Sequence, residues 1–253
     1  MTRALKVFPS AAGLARGAAN QIVTILRDAR RAGAPSSLVL SGGSTPRAVY
    51  QLLATDEFRS RVEWLHLHLF WGDERCVPPT SPESNYRMVR ETLLESVPVP
   101  AGHIHRIHGE LPPAQAAIAY EDELRAVFGT ERGALPRPDL VLLGLGEDGH
   151  TASLFPGTAV LQEERRLVAD VYVDRLNASR VTLTFPVLNN ARAVLFLVSG
   201  PSKAAALAAV LRNPASGSPA SGLPASRLLP RDGDLFWYVD HDAAAQLSLS
   251  ETL

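Results

Sequence analysis

Short, uniformly apolar runs alternate along this chain with longer amphipathic stretches. Residues 5–8, 38–40, 65–71, 139–145, 168–173, 181–185, 194–198 and 235–239 have strand length and are rich in Leu, Val and Phe, giving about eight strands. Residues 11–32, 46–53, 83–94, 113–128 and 202–211 read as helices. In the first of these, Leu14, Ala18, Ile22, Ile25 and Leu26 fall near one face, and Gly33 and Pro35 supply the stop. In 65–71 the alternation places Leu65, Leu67 and Leu69 on one side and His66, His68 and Phe70 on the other. Strands that are apolar at nearly every position need cover on both faces, which is the mark of a largely parallel sheet between helical layers. Beyond residue 168 the strands crowd together, which predicts a small antiparallel portion. The expected class is therefore α/β, with an open, largely parallel sheet flanked by helices. Residues 213–224, rich in Pro, Ser, Ala and Gly, read as a surface loop and not a linker, because the strand and helix pattern resumes at once. One domain over 1–253 is expected.

Composition narrows the partners. With 25 Lys and Arg against 26 Asp and Glu, the net charge is −1. A polyanion-binding face needs a basic excess that this balance does not supply, so no nucleic-acid partner is expected. A single cysteine, Cys76, rules out a disulfide or a cysteine-rich zinc site within the chain, and leaves its own role unassigned. No apolar run approaches the ~20 residues needed to span a bilayer, and the N-terminus lacks the basic, apolar and small-residue succession of a signal peptide. The expectation is a cytoplasmic protein with a small-molecule partner and no membrane association.

Ligands of open parallel sheets bind beyond the carboxyl ends of the strands, so those positions are where chemistry is sought. After 38–40 comes Ser41-Gly42-Gly43-Ser44-Thr45-Pro46-Arg47. Two glycines, two hydroxyls and a helix start, with Thr45 as N-cap and Pro46 at the first helical position, form either a phosphate cradle or a well-capped turn. After 65–71 comes Gly72-Asp73-Glu74-Arg75, where Asp73 and Arg75, two apart in extended chain, point to the same side, toward a cleft; Glu74 reads as solvated. After 139–145 comes Gly146-Glu147-Asp148-Gly149-His150-Thr151. Gly144, Gly146 and Gly149 match the dinucleotide pattern G-x-G-x-x-G, with Asp170 further on, but Pro156-Gly157 breaks the helix that must follow, so no nicotinamide cofactor is expected. His150 instead reads as a proton acceptor near neutral pH, oriented by Asp148, or as a structural loop histidine. After 194–198, Gly200-Pro201-Ser202-Lys203 opens another helix; Lys203 would reach the same ligand, or is a plain surface lysine. His103, His105 and His108 have a metal-like spacing but no cysteine or paired carboxylates beside them, and no metal site is expected there. His66, His68 and His241 are expected to be packing residues.

These stretches occur in a fixed order: Ser41 to Arg47, Trp71 to Arg75 with Ser84-Asn85-Tyr86-Arg87, Gly144 to Pro156, Arg180-Val181-Thr182-Leu183-Thr184, and Gly200 to Lys203. The set resembles the 6-phosphogluconolactonase family over nearly the whole chain, from about residue 38 to the last strand. The resemblance implies hydrolysis of 6-phosphogluconolactone in the oxidative branch of the pentose phosphate pathway, with no metal and no organic cofactor. It also implies the open α/β fold shared with glucosamine-6-phosphate deaminase and ribose-5-phosphate isomerase. The deaminase is the nearest rival. Its pattern has Asp-Glu-Tyr where this chain has Asp73-Glu74-Arg75, and a catalytic Asn-Glu where this chain has Leu154-Phe155. A sugar-phosphate sensor of the same fold is a third reading, but no helix-turn-helix has room at either end.

On the lactonase reading, general-base duty is expected of His150, orientation of its ring of Asp148, and oxyanion stabilisation of Arg75 or of backbone N–H groups in the glycine turn. Ser41, Gly42, Gly43, Ser44, Thr45, Arg47 and Lys203 are expected to hold the phosphate, Asp73 to contact the substrate, and the resemblance implies that Arg180 helps.

Overall fold

The structure, a computed structural model, describes residues 2–31, 35–131, 133–212 and 222–248. The chain begins β1 (Arg3–Phe8), α1 (Ala11–Arg31), β2 (Ser36–Leu40), α2 (Ser44–Leu53), α3 (Asp56–Arg59), β3 (Leu67–Trp71), β4 (Asp73–Arg75), α4 (Asn85–Thr92) and β5 (Ile104–His105). It continues α5 (Pro113–Phe128), β6 (Leu140–Leu143), β7 (Val168–Val173), β8 (Ala178–Leu183), α6 (Phe185–Leu188), β9 (Ala193–Val198), α7 (Ala204–Arg212) and β10 (Asp234–Asp240). Seven strands form a parallel sheet in the order β1-β10-β9-β6-β2-β3-β5. Strands β4, β8 and β7 form a second, antiparallel sheet. Every residue of β2, β6 and β9 is buried, as continuous apolar runs covered on both faces require. Helix α1 lays Leu14, Ala18, Ile22 and Leu26 into this core, across β2, β6, β9 and β10. Among the described residues, no helix is long and apolar enough to cross a membrane.

The backbone of Gly72 bridges the two sheets. Gly72 donates its N–H to Leu40 O at 2.9 Å in the parallel sheet, and its carbonyl accepts Leu183 N–H at 2.8 Å from the antiparallel one. The chain therefore passes from β3 into β4 with both backbone groups satisfied, and Asp73 is placed where the two sheets diverge.

Several local expectations need correction. Residues 64–66 form a 3-10 turn and not the start of a strand. Trp64 is buried there, with Nε1 donating to Arg59 O at 2.8 Å, which leaves Leu65 and His66 outside. The strand expected over 181–185 ends at Leu183, because Pro186 fits the first turn of a helix and α6 begins at Phe185. His241 is exposed, so neither it nor His66 is a packing residue. Of the 213–224 stretch, residues 213–221 lie outside the described residues, and Pro224–Arg227 form a 3-10 turn.

The histidines at the β3–β5 edge are a structural group. His105 lies in β5, with Nδ1 2.8 Å from Glu123 Oε1 and Nε2 2.9 Å from His68 Nδ1. His68 stacks on His103 with centroids 4.0 Å apart. Among the described residues, no group of His, Cys, Asp or Glu is arranged to hold a metal ion. Burial, followed by the nearness of His103 and His105, lowers the His68 pKa to about 4. A histidine whose folded pKa lies below its unfolded value binds fewer protons when folded, so its contribution to stability is intact above the unfolded value of about 6.5 and drains away toward pH 4. Thermal melts between pH 7 and pH 4.5 should show this loss, and His68→Gln should flatten that part of the profile. An unchanged slope in the variant would contradict the assignment.

Candidate functional site

The strand order reverses at the centre of the parallel sheet. From β2 the chain steps outward through β3 to β5, then returns to place β6 on the other side of β2 and proceeds through β9 to β10. Loops leaving β2 and β6 therefore part company, and a crevice opens between them at the carboxyl ends of the strands. A cavity of about 230 Å³ occupies this place, lined by Ser41–Pro46, Asp73, Arg75, Asn85, Gly144–Gly146, His150–Ala152, Leu197–Ser199 and Lys203. The structure thus unites Ser41, Gly42, Gly43, Ser44, Thr45, Asp73, Arg75, His150 and Lys203 around one space. Asp148 reaches it through His150. Arg47 is exposed on α2, away from this lining, and Arg180 stands behind Arg75.

The β2 side is a helix start with an open end. Gly43, not Thr45, is the N-cap residue of α2, at φ 103° and ψ 169°, and no side chain caps the helix. A positive φ of this kind is available to glycine at little cost. The missing side-chain cap leaves the first turn of a ten-residue helix directed at the cavity, with the positive end of its dipole. Tyr50, one and a half turns into α2, fixes the strand end beside it. Its hydroxyl accepts Ser41 N–H and donates to Ser41 O, both at 2.9 Å. Tyr120 does the same for Trp71 at the end of β3, at 2.8 and 3.0 Å. Both tyrosines are fully buried, and burial pushes both phenols far above their ordinary pKa. Tyr50 thereby satisfies the end of β2 beyond its pairing with β6, and Tyr120 the end of β3 beyond the two-residue β5.

The β3 side carries the charges. Asp73 accepts Ser153 Oγ at 2.6 Å, and Asn85 Nδ2 donates to its carbonyl at 2.9 Å. Glu74 is not solvated as expected. It is buried, accepting N–H from Arg75, Asn85 and Tyr86 at 2.7–2.8 Å and the Ser84 hydroxyl at 3.1 Å. Burial pushes its carboxyl pKa up against these backbone hydrogen bonds. It serves the start of α4, where a carboxylate complements the helix dipole. Arg75 and Arg180 face each other in register across β4 and β8, and their guanidinium groups donate to carbonyls, Glu83 O at 2.6 Å and Ser179 O at 3.0 Å. Burial, and then the like charge of Arg75, lower the Arg180 pKa. Like charges directly opposite are destabilising, so this rim favours an anion.

The β6 side carries the titratable pair. No helix follows Gly149; a loop with an isolated Thr151–Leu154 bridge runs there instead. His150 Nδ1 lies 2.5 Å from Asp148 Oδ1, which also accepts His150 N–H at 3.1 Å. Burial would raise the Asp148 pKa, but the hydrogen bonds from His150 and the charges of His150 and Arg175 outweigh it and hold the carboxyl below its usual range. A Cβ at Gly146 would collide with both His150 Nδ1 and the Asp148 carboxylate, so only glycine lets the pair close. The opposite flank of the His150 ring stacks on Phe155, with centroids 4.1 Å apart. With Nδ1 committed to Asp148, Nε2 is the nitrogen left for chemistry.

Lys203 follows β9. Asp240, buried at the end of β10, accepts Gly200 N–H at 3.0 Å and the Ser199 hydroxyl, and also Ala243 N–H at 2.8 Å. It fixes the turn that carries Lys203, whose Nζ lies 3.8 Å from the exposed Glu147 carboxylate. Asp240, Tyr50, Ser153 and Arg175 were not singled out from the sequence. Inspecting the residue after every strand would have found Asp240. Ser153 and Arg175 act through partners far away in the chain, whereas Tyr50 meets Ser41 nine residues before it.

The family model described as glucosamine-6-phosphate isomerases/6-phosphogluconolactonase matches residues 9–237. A 6-phosphogluconolactonase of Nostoc sp. is 38% identical over 250 residues, covering 98% of this chain and 100% of its own. The solved 6-phosphogluconolactonase of Trypanosoma cruzi superposes with a TM-score of 0.84 at 32% identity, covering 98% of each chain. A monomeric glucosamine-6-phosphate deaminase superposes at 0.78 over 96% of this chain and 99% of its own, but at 18% identity that likeness carries the fold alone.

The tyrosine clamp is testable directly. Tyr50→Phe strands a buried N–H and a buried C=O, each worth ~1–3 kcal/mol when unsatisfied. Denaturant unfolding should show a loss of about 2–6 kcal/mol. A change within experimental error would mean that water replaces the hydroxyl and the clamp is dispensable.

Proposed function

This chain belongs to the glucosamine-6-phosphate isomerase/6-phosphogluconolactonase family, and we propose from that premise that its crevice hydrolyses 6-phospho-D-glucono-1,5-lactone to 6-phosphogluconate, a step of the pentose phosphate pathway. The observation that carries the reading is the arrangement across one cavity. An Asp148–His150 pair stands after β6, with the uncapped start of α2 on its β2 side and Lys203 on its β9 side, all lining the same space. The substrate has the matching two ends, a phosphate and an ester carbonyl.

The phosphate goes to the first turn of α2 and the Ser41–Thr45 loop, where backbone N–H groups and the helix dipole favour a dianion. Lys203 adds a full charge, and a phosphate displaces its distant, solvent-exposed partner Glu147. Asp73, held by Ser153 and Asn85, faces the sugar between the two ends. Arg180 acts through Arg75, adding positive potential to the rim, and Arg47 contributes charge only from a distance.

With the phosphate anchored, C1 of the lactone lies near His150. Nε2 takes a proton from water as its oxygen bonds to C1, and the carbonyl electrons move onto oxygen. Arg75 and the N–H groups of the glycine turn stabilise that oxyanion. The intermediate collapses, the bond from C1 to the ring oxygen breaks, and protonated His150 returns its proton to the departing oxygen. Asp148 keeps Nδ1 protonated and stabilises the transient imidazolium. Phe155 favours this chemistry over ring opening of an amino sugar, because a phenyl ring on that flank of His150 offers no carboxylate for proton relay.

The test generates the lactone in situ and follows acid release. Wild-type protein should accelerate its loss, and no acceleration rejects the proposal. His150→Gln should lower kcat by about 10²–10⁴-fold, the usual worth of general-base catalysis, with KM nearly unchanged. Lys203→Ala should do the reverse, raising KM roughly tenfold or more, as loss of a charge-assisted hydrogen bond implies, with kcat largely kept. Equal effects of both substitutions on both constants would contradict this division of labour.

A further inference from the structure

Arg175 has no part in the scheme above. It lies on the one-turn segment Asp174–Leu176 between β7 and β8, in the antiparallel sheet, and Asn177 in a left-handed conformation (φ 47°, ψ 45°) turns the chain back. Its Nη2 meets Asp148 Oδ2 at 2.6 Å. The two carboxylate oxygens are thus divided: Oδ2 to Arg175, Oδ1 to the ring and backbone of His150. The guanidinium also sits 5.0 Å from the centroid of Phe155, the ring on which His150 stacks. Arg175, Asp148, His150 and Phe155 therefore form a closed circuit in which the hairpin tip of one sheet grips the catalytic loop of the other.

A cation hydrogen-bonded to one oxygen restrains the turning of a carboxylate, and so biases where the other oxygen points. It also sets a permanent cation in competition with imidazolium for the same negative charge. The side chains of Arg175 and Asp148 are 54% and 28% exposed, so the electrostatic part is modest, of the order of an exposed pair. We infer that Arg175 is a positioning residue for the reaction, binding one oxygen of Asp148 so that the other faces His150 and the proton-accepting form of the ring is favoured. The inference rests on the general-base reading of His150. The other charged groups around His150 are the Lys203–Glu147 pair and, across the cavity, Asp73 and Arg75; none of these changes in the variants below.

The test has an arm that does not depend on turnover. The ¹³Cε1 resonance of His150, assigned by its loss in His150→Gln, is titrated in the wild type, in Arg175→Gln and in Arg175→Lys. Arg175→Gln should raise the midpoint by about half a pH unit, and Arg175→Lys should stay near the wild type. The acid limb of kcat/KM should move with it, so that Arg175→Gln loses roughly threefold below the midpoint and almost nothing on the alkaline plateau. An unmoved midpoint, or an equal loss at every pH, overturns the inference and leaves Arg175 a structural contact. A midpoint that moves in a protein with no lactone hydrolysis supports the coupling and overturns the hydrolase reading instead.

Discussion

The reversal of strand order between β2 and β6 is the constraint on which the rest of the molecule depends. Parallel strands side by side share their hydrogen bonds to the end only when their exits run together. Here the exits of β2 and β6 run apart and β5 stops short of Trp71, so the backbone at Ser41, Trp71 and Gly144 has to be satisfied by other means. Tyr50 and Tyr120 supply hydroxyls to Ser41 and Trp71, Thr151 donates its hydroxyl to Gly144 O at 2.8 Å, and Asp240 holds the Ser199–Gly200 turn. Each is buried or nearly so, where an unmade hydrogen bond is most costly. The crevice is held open by buried polar anchors, and its floor is the apolar core.

The same constraint explains the electrostatic layout. Helix starts and strand ends meet at the crevice, so uncapped N–H groups, Lys203 and the Arg75–Arg180 pair are gathered on its rim. Acidic groups near it are already engaged: Glu74 with the start of α4, Asp240 with its turn, Asp73 with Ser153, and Asp148 with His150 and Arg175. A near-neutral chain can thus present a local site suited to a dianion.

Much of this was legible in the sequence, and the reasons for the exceptions are physical. Strands β2, β6 and β9 announced themselves as apolar runs because both of their faces are buried. Strands β7 and β10 were readable from runs that are largely apolar, although Tyr172 of β7 is exposed. Strand β4, Asp-Glu-Arg, carries no such signal; it is a strand because β8 pairs with it. Strand β5 is two residues long and is defined by its neighbour β3. The Ser41–Thr45 loop and the Asp148–His150 pair were readable because their partners lie within a few residues. Asp148 and Arg175, or Asp73 and Ser153, are joined only by the packing of two sheets, and no local spacing reveals them. Glu74 misled because a carboxylate after a strand is more often solvated, and here the N-terminus of α4 returns to meet it.

On the proposed reaction, one crevice holds a phosphate at the start of α2 while it holds the reacting carbon at His150. The most direct measurement is a crystal structure with 6-phosphogluconate bound. The phosphate should lie against the first turn of α2 within reach of Lys203, and the carboxylate between His150 and Arg75. A product seated in the opposite sense, with phosphate at His150, or bound outside the crevice altogether, would contradict it.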